Sequence, residues 1–432
     1  MDNKVFEQVK KIYFIGMATM MYYFLNEYID LGLQVTYQHA FALALAFSAF
    51  VMFLYKPDIA RGVVAFKGAF VYSIPLAVTT IVSLFIWFMG TAELDVISRG
   101  LSSSFIYKNM LSFALGAGAL LYVFGKRGVW YNLIAILIAN TLMILTIIAQ
   151  NGIGVFISEF ITLLVTFAEV TGDVIVQAEI HELAFCLGAY LIYMLYKPRK
   201  SIVFFVLLVL SLFYFLAALK RIAIIAIAIA LIFGYLLKFI AHFNRKTAAR
   251  VVIFLSVCVI ALLMGYIALI KANTFALLEQ MGINTSGRAE IYNAVDEFYE
   301  FNPGFLGNGI GFLTYRLNEF MSVGVGAVHN DFLQHFIDLG FWGYIIWLVS
   351  MVLVRVCYFG RKGNVDNAIL TFMLTVYLVI VSSTDNTMNY PLLIGVLAML
   401  MMGNGFDKNV KEEESKLGVA LKRDGEEEDL LP

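Results

Sequence analysis

The 432 residues carry 61% hydrophobic side chains and a mean hydropathy of +0.84, whereas about half of a soluble domain is apolar. That excess excludes a soluble globular enzyme and points to a polytopic membrane protein. The formal net charge of -1 provides no general attraction for nucleic acid.

Lys4, Lys10 and Lys11 precede the first apolar run, and no small-residue cleavage site follows it. The run therefore reads as a first membrane helix and not as a removable leader. Apolar runs of about 15 to 22 residues recur roughly twelve times. They lie near 12–25, 37–55, 69–90, 107–124, 131–149, 183–196, 201–219, 222–237, 251–270, 331–358, 367–384 and 391–403. The expected fold class is all-α: a polytopic membrane helix bundle of about 12 transmembrane helices, with a long extracytoplasmic loop containing short helices.

Lys and Arg collect in every second loop, as they do in cytoplasmic loops near membrane helices. The basic clusters are Lys4/Lys10/Lys11, Lys56/Arg61/Lys67, Lys126/Arg127, Lys197/Arg199/Lys200, Lys238/Arg245/Lys246/Arg250 and Arg355/Arg361/Lys362. The alternate loops are acidic or neutral, with Glu27/Asp30, Glu93/Asp95 and the interval carrying Glu159, Glu169, Asp173, Glu179 and Glu182. This alternation puts both termini in the cytoplasm and the 272–330 loop outside.

Within the acidic interval, 153–167 reads as a short surface or re-entrant helix. Lys220-Arg221 breaks the alternation, because it places two cations on the outer side between nearly continuous spans. Two readings fit: a tight hairpin whose cations snorkel to headgroups, or a fixed cationic site at the outer surface. Cys186, Cys258 and Cys357 lie in apolar runs without metal-like spacing and read as small core residues. Residues 1–405 form one transmembrane domain. The remainder, 406–432, contains KEEESK and GEEEDLLP and is expected to be a disordered acidic cytoplasmic tail.

The long polar interval from Gly287 to Gly343 is the working part expected in so apolar a chain. Thr285-Ser286 is placed to cap a helix that stops at Asn302-Pro303-Gly304. Its Ile291, Tyr292, Val295, Phe298 and Tyr299 recur at helical spacing, opposite Asp296, Glu297 and Glu300. Arg288 falls in the first turn, where a cation opposes the helix dipole; either an anionic ligand or a salt bridge to Glu290 or a neighbouring loop accounts for it.

Gly307, Gly309 and Gly311 lack the strand-then-helix context of a nucleotide loop and read as a glycine-permitted turn. Residues 322–327 suit a lid. His329 opens a helix that Gly340 stops, and a neutral imidazole there can act as a base; the rival reading is a structural histidine. His335 has nothing to set it apart from a structural role. Neither histidine has a Cys or Glu at zinc spacing, so no metal site is expected.

Three local motifs resemble those of the O-antigen ligase and O-antigen polymerase superfamily of bacterial membrane glycosyltransferases. They are Lys220-Arg221 opening a span, Gly287–Tyr292 followed by Asn302-Pro303 and Gly307-Asn308-Gly309, and His329-Asn330-x9-Gly340-x2-Gly343. The last matches the family's histidine motif along its whole length. Ala218-Leu219 departs from the family pattern, in which many members place a small hydroxyl residue before the basic pair.

The resemblance implies transfer of a glycan from an undecaprenyl-diphosphate carrier to an acceptor glycan or lipid, on the outer face of the bacterial cytoplasmic membrane. No cofactor or metal is implied. His329 would be the base or positioning group, Arg221, Arg288 and Lys220 would hold the diphosphate, and Asn330, Gly340 and Gly343 would support the motif. A chain-length regulator or flippase of the same pathway is an implied partner.

The resemblance leans to polymerisation of a surface polysaccharide and leaves ligation to a lipid core, wall polymer or protein open. The rival from another class is a transporter or flippase of lipid-linked oligosaccharide. Transporters usually place charges near the bilayer midplane, whereas here they sit at span ends.

Overall fold

The computed structural model describes residues 3–25, 34–90, 94–166, 174–177, 180–282, 285, 287–320, 328–361 and 364–417. Glu27, Asp30, Glu93, Glu169, Asp173, Glu179, Ser286, Lys362 and the expected lid at 322–327 lie outside the described residues.

The fold is all-helical, with no strand among the described residues. In chain order the helices are α1 (Asn3–Tyr23), α2 (Gln34–Tyr55), α3 (Ile59–Phe88), α4 (Leu94–Phe124), α5 (Arg127–Asn151), α6 (Ile153–Thr166), α7 (Val174–Gln177), α8 (His181–Tyr196), α9 (Ile202–Ala217) and α10 (Arg221–Phe243). There follow α11 (Arg245–Lys271), α12 (Thr274–Gln280), α13 (Arg288–Val295), α14 (Phe312–Phe320), α15 (Asp331–Leu348), α16 (Arg355–Phe359), α17 (Val365–Ser382), α18 (Pro391–Gly403) and α19 (Phe406–Lys416). A π-helical stretch, Val349–Val354, joins α15 to α16.

Among the described residues six helical stretches are long and apolar enough to cross a membrane: Ile59–Phe88, Arg127–Asn151, Arg221–Phe243, Arg245–Lys271, Asp331–Phe359 and Val365–Ser382. Six more apolar stretches are shorter, at 10–17 residues, among them Ile153–Thr166 and Pro391–Gly403. The chain is a multi-pass membrane protein, and the exposed faces of its long helices are apolar, as lipid requires. Phe85, Phe88, Ile232, Phe239 and Leu262 are examples.

The chain divides into two compact units. The first comprises Met1–Ala69, Ser112–Leu231 and Leu392–Pro432. In it α1 lies along α5, joined by a buried polar seam: Tyr22 Oη donates to Asn132 Oδ1 at 2.5 Å, and Asn132 Nδ2 to Tyr190 Oη at 3.2 Å. Tyr190 Oη in turn donates to the Val129 carbonyl at 2.9 Å. In an apolar core each such group must find a partner, so the chain of bonds fixes the register of α1, α5 and α8.

The expected disordered tail begins instead as a helix. α19 occupies the first eleven residues of 406–432, because Phe406, Val410 and Glu414 recur every four residues and are buried as one stripe. The ion pairs Lys67–Glu413 at 3.0 Å and Lys126–Asp407 at 3.4 Å help fasten it. Composition alone hides this, because the hydrophobic stripe is thin and its partner is remote in sequence.

Hydrogen bonds from Lys416 and Lys67 hold the Glu413 carboxyl at about 2, below its ordinary 4.5. A depressed acid contributes stability above its unfolded value and loses it as pH falls through the folded one. Docking of α19 should therefore weaken between about pH 4.5 and 2. Faster hydrogen exchange across 406–416 on acidification, absent in Glu413→Gln, is the expected reading.

The second unit, Phe70–Leu111 and Ile232–Pro391, contains the long polar interval. Its organising feature is the break in α15 at Gly340, which has φ 71° and ψ -178°, a region open essentially to glycine alone. The break leaves carbonyls of the preceding turn without helical donors. The glycine loop supplies them: the Asn308 amide donates to the Ile337 carbonyl at 3.1 Å and the Gly309 amide to that of Asp338 at 2.8 Å. Phe341 N returns a bond to the Phe305 carbonyl at 2.9 Å.

Gly307 and Gly340 meet backbone to backbone, so that a Cβ on Gly340 would come within 2.5 Å of Gly307 N and overlap the Leu306 carbonyl. Gly309 packs against a side chain instead, the Trp87 indole of α3, which a Cβ would overlap at Nε1. The glycine loop at 307–311 is thus a packing element against α15 and α3.

Candidate active site

The first helix of the polar interval is shorter than its pattern suggests. α13 runs from Arg288 to Val295 and continues only as a single 3-10 turn, Asp296–Phe298. Its N-cap is Gly287 in the left-handed region at φ 76°, with no side-chain cap. Thr285 contributes differently: its hydroxyl receives the Ala289 amide at 3.4 Å and its carbonyl receives Arg288 Nη1 at 3.3 Å.

Among the described residues Arg288 has no carboxylate partner, Glu290 included. Its Nη2 donates to the Thr384 carbonyl at 2.7 Å, and its Nε is buried without a hydrogen bond. A guanidinium has five N–H donors. With two hydrogen bonds to neutral carbonyls among the described residues, it keeps unused donors, which suits a phosphate.

His329 immediately precedes α15. Its backbone is left-handed, φ 52°, a conformation that costs a non-glycine residue of order 1–3 kcal/mol. The side chain is 50% exposed, and its Nδ1 lies 3.8 Å from Asp385 Oδ1. Asp385 Oδ1 also accepts the Asn386 amide at 2.7 Å and the Tyr390 hydroxyl at 3.2 Å, so the carboxylate is fixed on its own turn.

Asn330 is completely buried and is the N-cap of α15: its Oδ1 accepts from Phe332 N and Leu333 N, each at 3.1 Å. Its Nδ2 donates to the hydroxyls of Tyr266 and Tyr292, both at 3.0 Å. Burial raises the Tyr292 phenol above its ordinary value, so that hydroxyl stays protonated. Asp331 Oδ2 accepts the Met388 amide at 2.8 Å. His335 is buried, with Nδ1 on the Asp331 carbonyl at 2.7 Å and its ring stacked on Trp347, and is structural.

The short turn between α17 and α18 therefore joins the parts. Thr384 holds Arg288, Asp385 faces His329, and Met388 meets Asp331 of α15. The second unit brings Arg288, His329, Asn330, Gly340 and Gly343 into one framework. Lys220 and Arg221 belong to the first unit. Leu219 is left-handed at φ 38°, which turns the chain so that α10 starts at Arg221 itself. Arg221 is exposed and forms no ion pair or hydrogen bond with the described residues.

Residues 205–348 match the O-antigen ligase family model. The matched segment runs from α9 to the end of α15 and contains Lys220, Arg221, Arg288, His329, Asn330, Gly340 and Gly343. That segment is thus similar to O-antigen ligases. No curated protein matches the chain. The turn that holds Arg288 and faces His329 lies beyond the matched segment and carries no recognisable motif. Its one signal is the polar run Ser382–Thr387 between two apolar helices.

Proposed function

We propose that this O-antigen ligase-family protein is a membrane glycosyltransferase that moves a glycan from an undecaprenyl-diphosphate carrier to an acceptor hydroxyl, polymerising surface-polysaccharide repeat units. The reaction takes place at the outer face of the bacterial cytoplasmic membrane, with both termini in the cytoplasm. The observation that supports this reading is the shared turn: a guanidinium with unused donors is held by Thr384, and an exposed imidazole faces the adjacent Asp385.

In the proposed step the acceptor oxygen attacks the anomeric carbon and its bond to the diphosphate oxygen breaks. The displacement inverts the anomeric centre. His329 takes the acceptor proton on Nε2, since Nδ1 faces Asp385, and Asp385 favours the imidazolium that forms. The 3.8 Å separation is ion-pair distance, of the kind that tightens when substrate binds. Arg288 stabilises charge on the leaving diphosphate without a metal. For Arg221 and Lys220 a diphosphate-holding role rests on the motif resemblance alone.

Purified protein given only the lipid-linked repeat unit should build a ladder of longer lipid-linked glycans without added divalent metal or nucleotide. Activity lost to a chelator and restored by a divalent ion would overturn the metal-independent step. The description of the matched family as O-antigen ligase favours a second reading, transfer to a foreign acceptor. Product only when such an acceptor is supplied would establish it, and translocation without a new glycosidic bond would indicate a transporter.

A further inference from the structure

Four elements of the second unit meet at the Tyr266 hydroxyl. Tyr266 stands near the end of α11, and its Oη donates to the Ser383 carbonyl at 3.0 Å while accepting Asn330 Nδ2 at 3.0 Å. The other Asn330 Nδ2 hydrogen goes to Tyr292 Oη on α13 at 3.0 Å, one helical turn after Arg288. Two successive carbonyls of the α17–α18 turn are thereby held by side chains, Ser383 by Tyr266 and Thr384 by Arg288. The next residue is Asp385, opposite His329. The Tyr266 ring is independently seated, edge to face with Phe275, so its hydroxyl can be removed without emptying the site.

Resting on the proposed transfer reaction, we infer that Tyr266 is a positioning residue: its hydroxyl pins the Ser383 carbonyl and so sets where the Asp385 carboxylate stands against His329. Tyr292 differs in kind. Its hydroxyl accepts from Asn330 and makes no hydrogen bond to a carbonyl of the turn among the described residues.

Tyr266→Phe would leave the Ser383 carbonyl without its donor and one Asn330 N–H without its acceptor. For the full chain turning over an undecaprenyl-diphosphate-linked repeat unit, the expected result is a kcat lower by about tenfold, with KM for the lipid-linked donor within about twofold. Because the effect passes through Asp385, adding Tyr266→Phe to Asp385→Asn should cause little further loss. A merely structural tyrosine would cost the same factor in both backgrounds. Unchanged kcat, or equal factors in the two backgrounds, would overturn the inference.

Hydrogen exchange reads the same hold without turnover. Tyr266→Phe should speed exchange across 383–390 while leaving α11, α13 and α15 as in the unaltered protein, and Tyr292→Phe should affect that turn less. No change at the turn, or a rise spread over the three helices, would count against a specific hold. If the unaltered protein forms no glycosidic bond, the proposed function falls, and the exchange measurement still decides what Tyr266 does.

Discussion

Replacing His329 by asparagine should lower glycan transfer by about a hundredfold or more while the protein stays folded. Asparagine is chosen because the position is left-handed, φ 52°, a region that asparagine tolerates better than most residues. The substitution thus removes the imidazole without adding backbone strain. Nothing in the core depends on the ring, which is half exposed and faces Asp385. The α15 cap belongs to Asn330 and is left intact.

The measurement is initial rate on the lipid-linked donor, with the thermal midpoint recorded in the same detergent. A fall in kcat with carrier-lipid binding retained identifies a group that acts in the transition state. Turnover near the unaltered rate by a well-folded variant would remove His329 from the reaction. The strain has a second consequence: His329→Gly should match or exceed the stability of the unaltered protein while also losing activity, the trade expected where a functional side chain is held against its backbone preference.

The largest effect on stability should come from Gly340→Ala. The added methyl would meet two costs together. One is the torsional cost of φ 71°, ψ -178°, and the other is overlap with the Leu306 and Gly307 backbone, which no rotamer change relieves. The expected loss is about 3 kcal/mol or more, seen as a collapse in the yield of monodisperse protein and a lowered thermal midpoint.

Gly343, three residues on in the same motif, is the internal comparison. A Cβ there would meet the Val82 side chain at 2.8 Å, and a side chain can shift, so Gly343→Ala should cost about 1–2 kcal/mol. Gly265 in α11 has nothing within 4 Å of a built Cβ, so alanine there should change stability by less than about 1 kcal/mol. Equal tolerance at 340 and 343 would contradict the close backbone approach described for the glycine loop.

Several features are legible in the amino-acid sequence. An all-helical membrane protein follows from apolar runs too long and too frequent for a soluble core, because lipid leaves the backbone no partner but itself. Arg288, His329 and Asn330 stand out because polar side chains are costly in such a chain and persist where they work. The break at Gly340 is legible too, since two glycines close behind a helical run mark a stop.

Other features depend on distant parts of the chain. Whether Arg288 pairs with Glu290 or keeps unused donors cannot be read from the sequence, because its partners are the carbonyls of Thr285 and Thr384, and a carbonyl has the same signature at every residue. Asp385 is a single acid in a short loop 56 residues after His329, and only folding places it opposite the imidazole. Helix α19 needs Lys67 and Lys126, hundreds of residues away, to fasten a thin apolar stripe.

The sequence by itself determined the class of protein and which polar residues stand out as candidates for its chemistry, because hydropathy and side-chain type are local properties. The tertiary structure alone decided that one turn between α17 and α18 holds Arg288 and faces His329. That arrangement is made of main-chain acceptors and long-range contacts, which the order of residues does not encode locally.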